Sequence, residues 1–202
     1  MADDHASVSQ GHARGATERL PMPDMSSLDD AQRAAAQSLI EGPRQGVYGP
    51  FVPLLRNPAL LERVAKLGEL LRFESVLEPR VRELATCVVA RHVSNRFEWA
   101  MHAPLALKAG VAPAALEALR QGAAPSMLAA DEQVTFDFVR ELLATHGISD
   151  LTYRSAIDRW GERGVVELTT LVGYFAMVSW LMNVARTPAQ TGASTGIDAF
   201  PA

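Results

Sequence analysis

Thiol chemistry is nearly absent from this 202-residue chain, which contains one cysteine, Cys87. A lone cysteine excludes a disulfide framework and a zinc-binding cysteine cluster. At helical spacing Cys87 falls among Leu84, Val88 and Val89, four residues after Glu83, which predicts a buried and inert thiol. Clustered positive charge is also missing. The net charge is −4 with interspersed signs, so no nucleic-acid surface is expected. Residues 1 to about 28 are rich in Ala, Ser, Asp, Gly and His. They lack the apolar block of a secretory signal and read as a mobile tail. No stretch of useful length alternates in the manner of a strand. Only Leu168 to Ala185 runs 18 residues without a charge, but Thr169, Thr170, Gly173, Tyr174, Ser179 and Asn183 interrupt it. With no second such segment, a buried core or subunit-interface helix is expected rather than a membrane span, and a cytoplasmic location with it.

What the chain does contain is 48% hydrophobic residues at helical spacing, enough for one substantial core. The signals predict a helix from Leu28 to Glu41, stopped by Gly42-Pro43, then a loop through Gly49-Pro50. Asn57-Pro58 opens a helix to about Phe73, with Leu60, Leu61, Val64, Leu67, Leu70 and Leu71 in period. Pro79 opens the next, Ala112-Pro113 a short one to Gln121, and Asp131 to Thr145 form another. Ser149 or Asp150 caps a helix to Gly161, and a last long helix covers about Gly164 to Ala185. The expected organisation is a disordered tail at 1–28, one all-α domain at 29–187, and a C-terminal tail or partner-wrapping arm at 188–202. Val81–Val88 and Val165–Val172 form a short internal repeat in which Glu83 matches Glu167.

The densest chemistry lies between Glu83 and His102. Glu98 and His102 are four apart and share a helix face. Glu83 lies 19 residues before His102, roughly 28 Å away on one unbroken helix. The polar run Arg91–Asn95 offers a break, with Ser94 or Asn95 as the new N-cap. A chain reversal near Val93 sets Glu83 beside His102 on antiparallel helices. Histidine titrates near neutrality and is the natural proton shuttle, with carboxylates to orient it or share its proton. Two readings of Glu98 remain open, because Asn95-x-x-Glu98 is also a capping box. One His with two carboxylates resembles a facial triad for non-haem iron, but the usual second histidine is missing, so no metal is expected.

Glu83, Asn95, Glu98 and His102 together repeat the spacing of the carboxymuconolactone decarboxylase and alkylhydroperoxidase D-like superfamily. The segment Phe97 to Val111 resembles its decarboxylase-type branch, and similarity extends from about Gly42 to Pro188. In the peroxidase branch the two middle positions are cysteines; here they are Asn95 and Glu98, which excludes paired-cysteine redox catalysis despite the family-level peroxiredoxin association. The resemblance implies an alkylhydroperoxidase D-like helical bundle, a homo-oligomer (trimer or hexamer), no cofactor, and a lyase or isomerase acting on a small carboxylated lactone or related acid in aromatic catabolism. It also implies Glu83, Glu98 and His102 as catalytic residues. Asn95 is expected to face a developing oxyanion, Arg72 to bind an anion, and Tyr48, Phe51, Phe73 and Trp99 to line an apolar pocket. Arg91 and Arg96 are further candidate anion anchors, and His92, near the hinge, is a weaker candidate than His102. The alternatives are a related protein acting on another small acid or peroxide, and a non-catalytic ligand-binding homolog.

Overall fold

The computed structural model describes residues 17–189 and 196–197. Among them the fold is all-α, with no extended strand. A 3-10 turn at Met25–Ser27 precedes α1 (Asp30–Glu41), where Asp29 and Gln32 form a reciprocal capping box. The short α2 (Phe51–Leu54) leads to α3 (Pro58–Glu69), capped by the Asn57 side chain on the Leu60 N–H at 3.1 Å. The helix expected to reach Phe73 instead widens after Glu69 into a π turn, Leu70–Glu74, which carries Arg72. Such turns gather at functional positions in helices.

The remaining helices are α4 (Pro79–His92), α5 (Arg96–Lys108), α6 (Pro113–Arg120), α7 (Ala130–Thr145) and α8 (Asp150–Ala185). α4 is the hub, packing against α5, α6, α7 and α8, and every residue from Leu84 to Ala90 is buried. The boundary expected near Gly161 exists as a break within α8, where Gly161 takes φ 65° and ψ −177°. A left-handed φ of this kind is costly for any residue with a Cβ. The apolar second half of α8 satisfies the length and composition of a membrane span, yet 56% of its most apolar window is buried within the protein. It packs as a core helix, with Leu168, Leu171, Val178 and Met182 fully enclosed.

The chain ends are better anchored than their composition suggests. Residues 1–16 of the expected N-terminal tail lie outside the described residues, but from residue 17 the segment docks on the bundle. Arg19 and Leu20 donate backbone N–H bonds to the Ala185 carbonyl at the end of α8, and Leu28 is buried. Arg19, Leu20 and Leu28, expected in the tail, thus bond to or pack on the bundle. At the other end 190–195 and 198–202 lie outside the described residues, while Ile197 is buried and accepts a bond from Arg96 Nε at 3.0 Å.

The reversal that positions the site occurs where the polar run predicts it. Ser94 adopts φ 50°, turning the chain, and the Asn95 side chain caps α5 by accepting the Glu98 N–H at 2.9 Å. The Asn95 Nδ2 group donates to the Ser179 carbonyl and to Asn183 Oδ1, both at 3.1 Å, fastening the turn to α8. Asn183 returns a bond to the Val93 carbonyl at 3.0 Å.

Candidate active site

With the hairpin closed, Glu83 on α4 and His102 on α5 meet. His102 Nδ1 lies 2.6 Å from Glu83 Oε2, and His102 Nε2 lies 3.2 Å from Glu98 Oε2. Both ring nitrogens thus face carboxylates, and the ring packs edge-on against Phe175 at 4.9 Å. Burial alone would lower the imidazole pKa. Hydrogen bonds donated to Glu83 and Glu98, and the negative charges of those carboxylates, outweigh it and raise the value to about 9. At neutral pH His102 is an imidazolium clamped between two carboxylates. Among the described residues no group of three or more His, Cys, Asp or Glu is arranged to hold a metal ion.

Of the two readings of Glu98, the reciprocal capping box does not form. The Asn95 N–H goes to the Ala90 carbonyl at 2.8 Å, leaving the Glu98 carboxylate to His102. The cap operates through the Glu98 backbone, and its side chain lines a cavity. Asn95, expected to face an oxyanion, is fully buried with both ends of its amide engaged in the cap and the α8 bonds. Trp99 likewise belongs to the core rather than to the cavity wall.

The cavity is lined by Arg44, Tyr48, Phe51, Arg72, Glu98 and His102, with Phe97, Met101, Tyr174 and Phe175 completing the apolar wall. Three of the six expected binding residues, Arg72, Tyr48 and Phe51, therefore converge on the Glu98–His102 pair, and the exposed Phe73 does not. Tyr48 stacks on Phe97 at 6.5 Å, and its hydroxyl donates to the Arg44 carbonyl at 3.0 Å. Gly49 allows this approach: at φ 57° it lies so close that a Cβ would stand 2.5 Å from the Phe97 ring. As it stands the cavity is small, about 30 Å³. Glu83 faces the other way as well, onto an open surface groove of about 650 Å³ lined by Arg80, Leu105 and Lys108.

Several candidates have structural posts instead. Arg91 Nε binds the Arg120 carbonyl at 3.0 Å, and Arg96 holds Ile197. His92 borders a separate groove beside Trp180. Cys87 is completely buried, and burial, with the nearby Glu83 charge, pushes its thiol well above the ordinary value. Sequence reasoning missed Arg44 and Tyr174. A signal for both was available in Gly68, an isolated glycine inside α3, because such a residue marks a close approach. A Cβ there would stand 2.2 Å from the Tyr174 hydroxyl and 2.8 Å from Arg44 Nη2.

Comparison with known proteins bears on the fold and on part of the chain. Residues 58–140 match the carboxymuconolactone decarboxylase family, a span that contains Glu83, Asn95, Glu98 and His102. The family resemblance expected from their spacing is borne out, although the match is shorter than the expected Gly42 to Pro188. No curated protein sequence matches the chain. Among solved structures, it is similar to the alkylhydroperoxidase AhpD core of an uncharacterised peroxidase-related protein from Ralstonia eutropha. That match has 11% identity and a TM-score of 0.70, covering 87% of this chain and 94% of the other. An uncharacterised peroxidase-related protein from Silicibacter sp. gives 18% identity and a TM-score of 0.68, with 89% and 94% covered. The debrominase Bmp8, as a cysteine-to-alanine variant in complex with 2,3,4-tribromopyrrole, gives 10% identity and a TM-score of 0.63, with 89% and 95% covered. The fold is that of AhpD-like proteins.

Proposed function

We propose, for an AhpD-like chain whose residues 58–140 match the carboxymuconolactone decarboxylase family, a cofactor-independent lyase that moves one proton through Glu98, His102 and Glu83. Its substrate is a small carboxylated lactone or related acid of aromatic catabolism. The observation that carries this reading is the His102 ring held between two carboxylates, 2.6 Å from Glu83 and 3.2 Å from Glu98, with its Nε2 side directed at the Glu98 wall of the cavity.

The reaction breaks the bond between a substrate carboxylate and its carbon. The electron pair enters the conjugated lactone carbonyl, CO2 leaves, and the resulting dienolate takes a proton at carbon. Because Glu83 occupies Nδ1, only the Nε2 proton has a route to the cavity, and Glu98 stands on it. Glu98 hands that proton to the dienolate carbon and is resupplied by His102. Glu83 fixes the ring and, facing the open groove, returns a proton from solvent. Arg72 on the cavity wall supplies positive charge for the developing oxyanion. A cavity of about 30 Å³ has room for one or two waters, so Tyr48, Phe97 and Met101 swing aside to admit a substrate. Peroxidase or dehalogenase chemistry through a thiol is not proposed, because Cys87 is buried away from this cavity.

The experiment is a panel of carboxylated lactones, keto acids and hydroperoxides offered to the wild type and to His102→Ala. Release of CO2 from a lactone acid, abolished in the variant, supports the reading. Turnover of hydroperoxides alone, or lactone turnover indifferent to His102, ends it.

The same reading includes assembly as a homo-oligomer, a trimer or hexamer. In support, one face of α8 exposes Val166, Met177, Trp180 and Val184 at helical spacing. A monomer in sedimentation velocity at micromolar concentration would remove this part.

A further inference from the structure

No charge interrupts α8 between Leu168 and Ala185, yet one side of this stretch is uncovered. Val166, Thr170, Gly173, Met177, Trp180 and Val184 follow one another at intervals of four, three, four, three and four residues. That is the spacing of a seam at which two helices meet. Val166, Met177, Trp180 and Val184 are exposed, Trp180 by 58%. On α3, by contrast, the exposed Leu60, Leu67 and Leu70 stand among Glu62, Arg63 and Lys66. The α8 stripe runs for about 27 Å, and the one charge within it, Glu167, is turned inward to Ser75 and Val76. An uncharged exposed face of that length marks an interaction surface. Gly173 stands near its centre. Gly68 and Gly164 each clear a path inside the protomer, since a Cβ at either would stand 2.2 Å from a neighbour, the Tyr174 hydroxyl and Trp160 Cβ respectively. At Gly173 a Cβ would meet nothing within 4 Å. Glycine inside a helix weakens it, and among the described residues nothing requires one here. The room is left for something outside the protomer. The threonines are ready for burial too. The Thr169 and Thr170 hydroxyls donate to the Val165 and Val166 carbonyls, each at 2.8 Å, so covering them strands no donor.

We propose that this face of α8 packs against the same face of a second copy of the chain, antiparallel about a two-fold axis at Gly173. This rests on the assembly reading above and deepens it. Side-chain size sets the direction. An antiparallel partner brings Met177 over the partner's Thr169 and Trp180 over the partner's Val166, large on small at each step. A parallel partner would set Trp180 on the partner's Trp180 and Met177 on the partner's Met177. That arrangement crowds one end of the seam and leaves a gap at the other. With glycine on glycine at the axis, the two backbones cross closely. An uncharged seam also rejects charged surfaces, and α8 itself supplies the uncharged one it needs. Such a contact is isologous and joins protomers in twos, so of a trimer and a hexamer it selects the hexamer. The opposite side of the same turns carries Tyr174, Phe175 and Val178 into the cavity wall. The pair therefore braces that wall from behind.

Sedimentation velocity on the full-length protein at micromolar concentration provides the test. The wild type should sediment with an even number of protomers. Gly173→Leu places its side chain in open space, so it should fold as the wild type does, with unchanged circular dichroism. Its self-association should weaken roughly ten- to hundred-fold, the scale of overpacking at a close contact, and its mass should halve. Oxidation with diamide reads the direction, because Cys87 is buried and the introduced thiols are exposed. Gly173→Cys alone should give a covalent dimer, and so should Val166→Cys combined with Trp180→Cys. Trp180→Cys alone should not. A monomeric wild type would remove the assembly reading and this proposal with it. An assembly indifferent to Gly173→Leu, an odd-numbered one, or a cross-link from Trp180→Cys alone would remove this proposal and leave the assembly reading standing. Flotation of the wild type with phosphatidylglycerol vesicles would give the face to a lipid surface and overturn the proposal as well.

Discussion

In α4, Glu83 turns a carboxylate oxygen to His102 at 2.6 Å; in α8, Glu167 holds the matching place in a similar octapeptide. Glu167 accepts bonds from Ser75 Oγ at 2.6 Å, the Val76 N–H at 2.8 Å and Arg163 Nε at 2.7 Å. Burial would raise its pKa, but those three donors outweigh burial and hold it below the ordinary value. The two glutamates differ little in local sequence and greatly in company. Glu167 is saturated by donors from the segment between the π turn and α4 and from its own helix, and it has no imidazole partner. Glu83 meets a titratable ring, and the repeat offers no such ring to Glu167: the counterparts of Glu98 and His102 are Met182, fully buried, and Arg186, which ends α8 in a left-handed conformation. In the proposed mechanism a carboxylate takes part only where a hairpin brings it an imidazole.

Exchanging the two positions in experiment should break that symmetry cleanly. His102→Ala is the largest expected effect, a loss of about 10²–10⁴-fold in turnover of whichever acid the panel identifies. Glu98→Gln should fall in the same direction while the protein folds normally, because the α5 cap uses the Glu98 backbone N–H and the Asn95 side chain. Full activity in Glu98→Gln would return that carboxylate to a passive role. Glu167→Ala should do the reverse. It leaves the Val76 N–H and Ser75 hydroxyl without their partner, costing about 1–3 kcal/mol in denaturant unfolding, with turnover per folded molecule unchanged.

The hairpin was legible before any coordinates because its signals are local: a polar run, a capping Asn95, and a four-residue spacing on α5. Helix identities followed for the same reason, and so did the break at Gly161, where glycine marks the left-handed turn. Arg44 itself was not read, although Tyr48, Phe51 and Arg72 beside it were and Gly68 marked its close approach. Its loop, the π turn and α8 meet across long separations, and no periodicity announces that an arginine after Gly42-Pro43 folds inward. Asn95 shows the opposite failure. The expected mechanism gave it an oxyanion to bond, but a side chain that caps one helix and braces another has no donor left.

Opposite pH dependences sharpen the comparison further. The folded pKa of His102 is raised from 6.5 to about 9. Its contribution to stability is therefore complete below about pH 6.5 and is lost as pH rises through about 9, with a size on the order of 3 kcal/mol. Glu167 has a lowered pKa, so its contribution is present above its unfolded value and disappears as pH falls below it. Unfolding curves of His102→Asn against wild type should accordingly diverge least on the alkaline side, and those of Glu167→Gln should diverge least on the acid side. The reverse assignment would contradict the charge states described. The smallest effect is expected at Cys87→Ser, which should leave turnover within about twofold of wild type, since the thiol is buried and outside the cavity. Abolished turnover in that variant would transfer the chemistry from the histidine to the thiol.

The central claim is that His102 stands as an imidazolium between Glu83 and Glu98, ready to give its proton to the cavity. A 15N NMR titration of the imidazole in the full-length protein tests it without any substrate. The account predicts both ring nitrogens protonated at pH 7, a titration near pH 9, and a lower midpoint in Glu83→Gln and in Glu98→Gln. A neutral ring at pH 7, protonated on one nitrogen and titrating near its ordinary value, would contradict it.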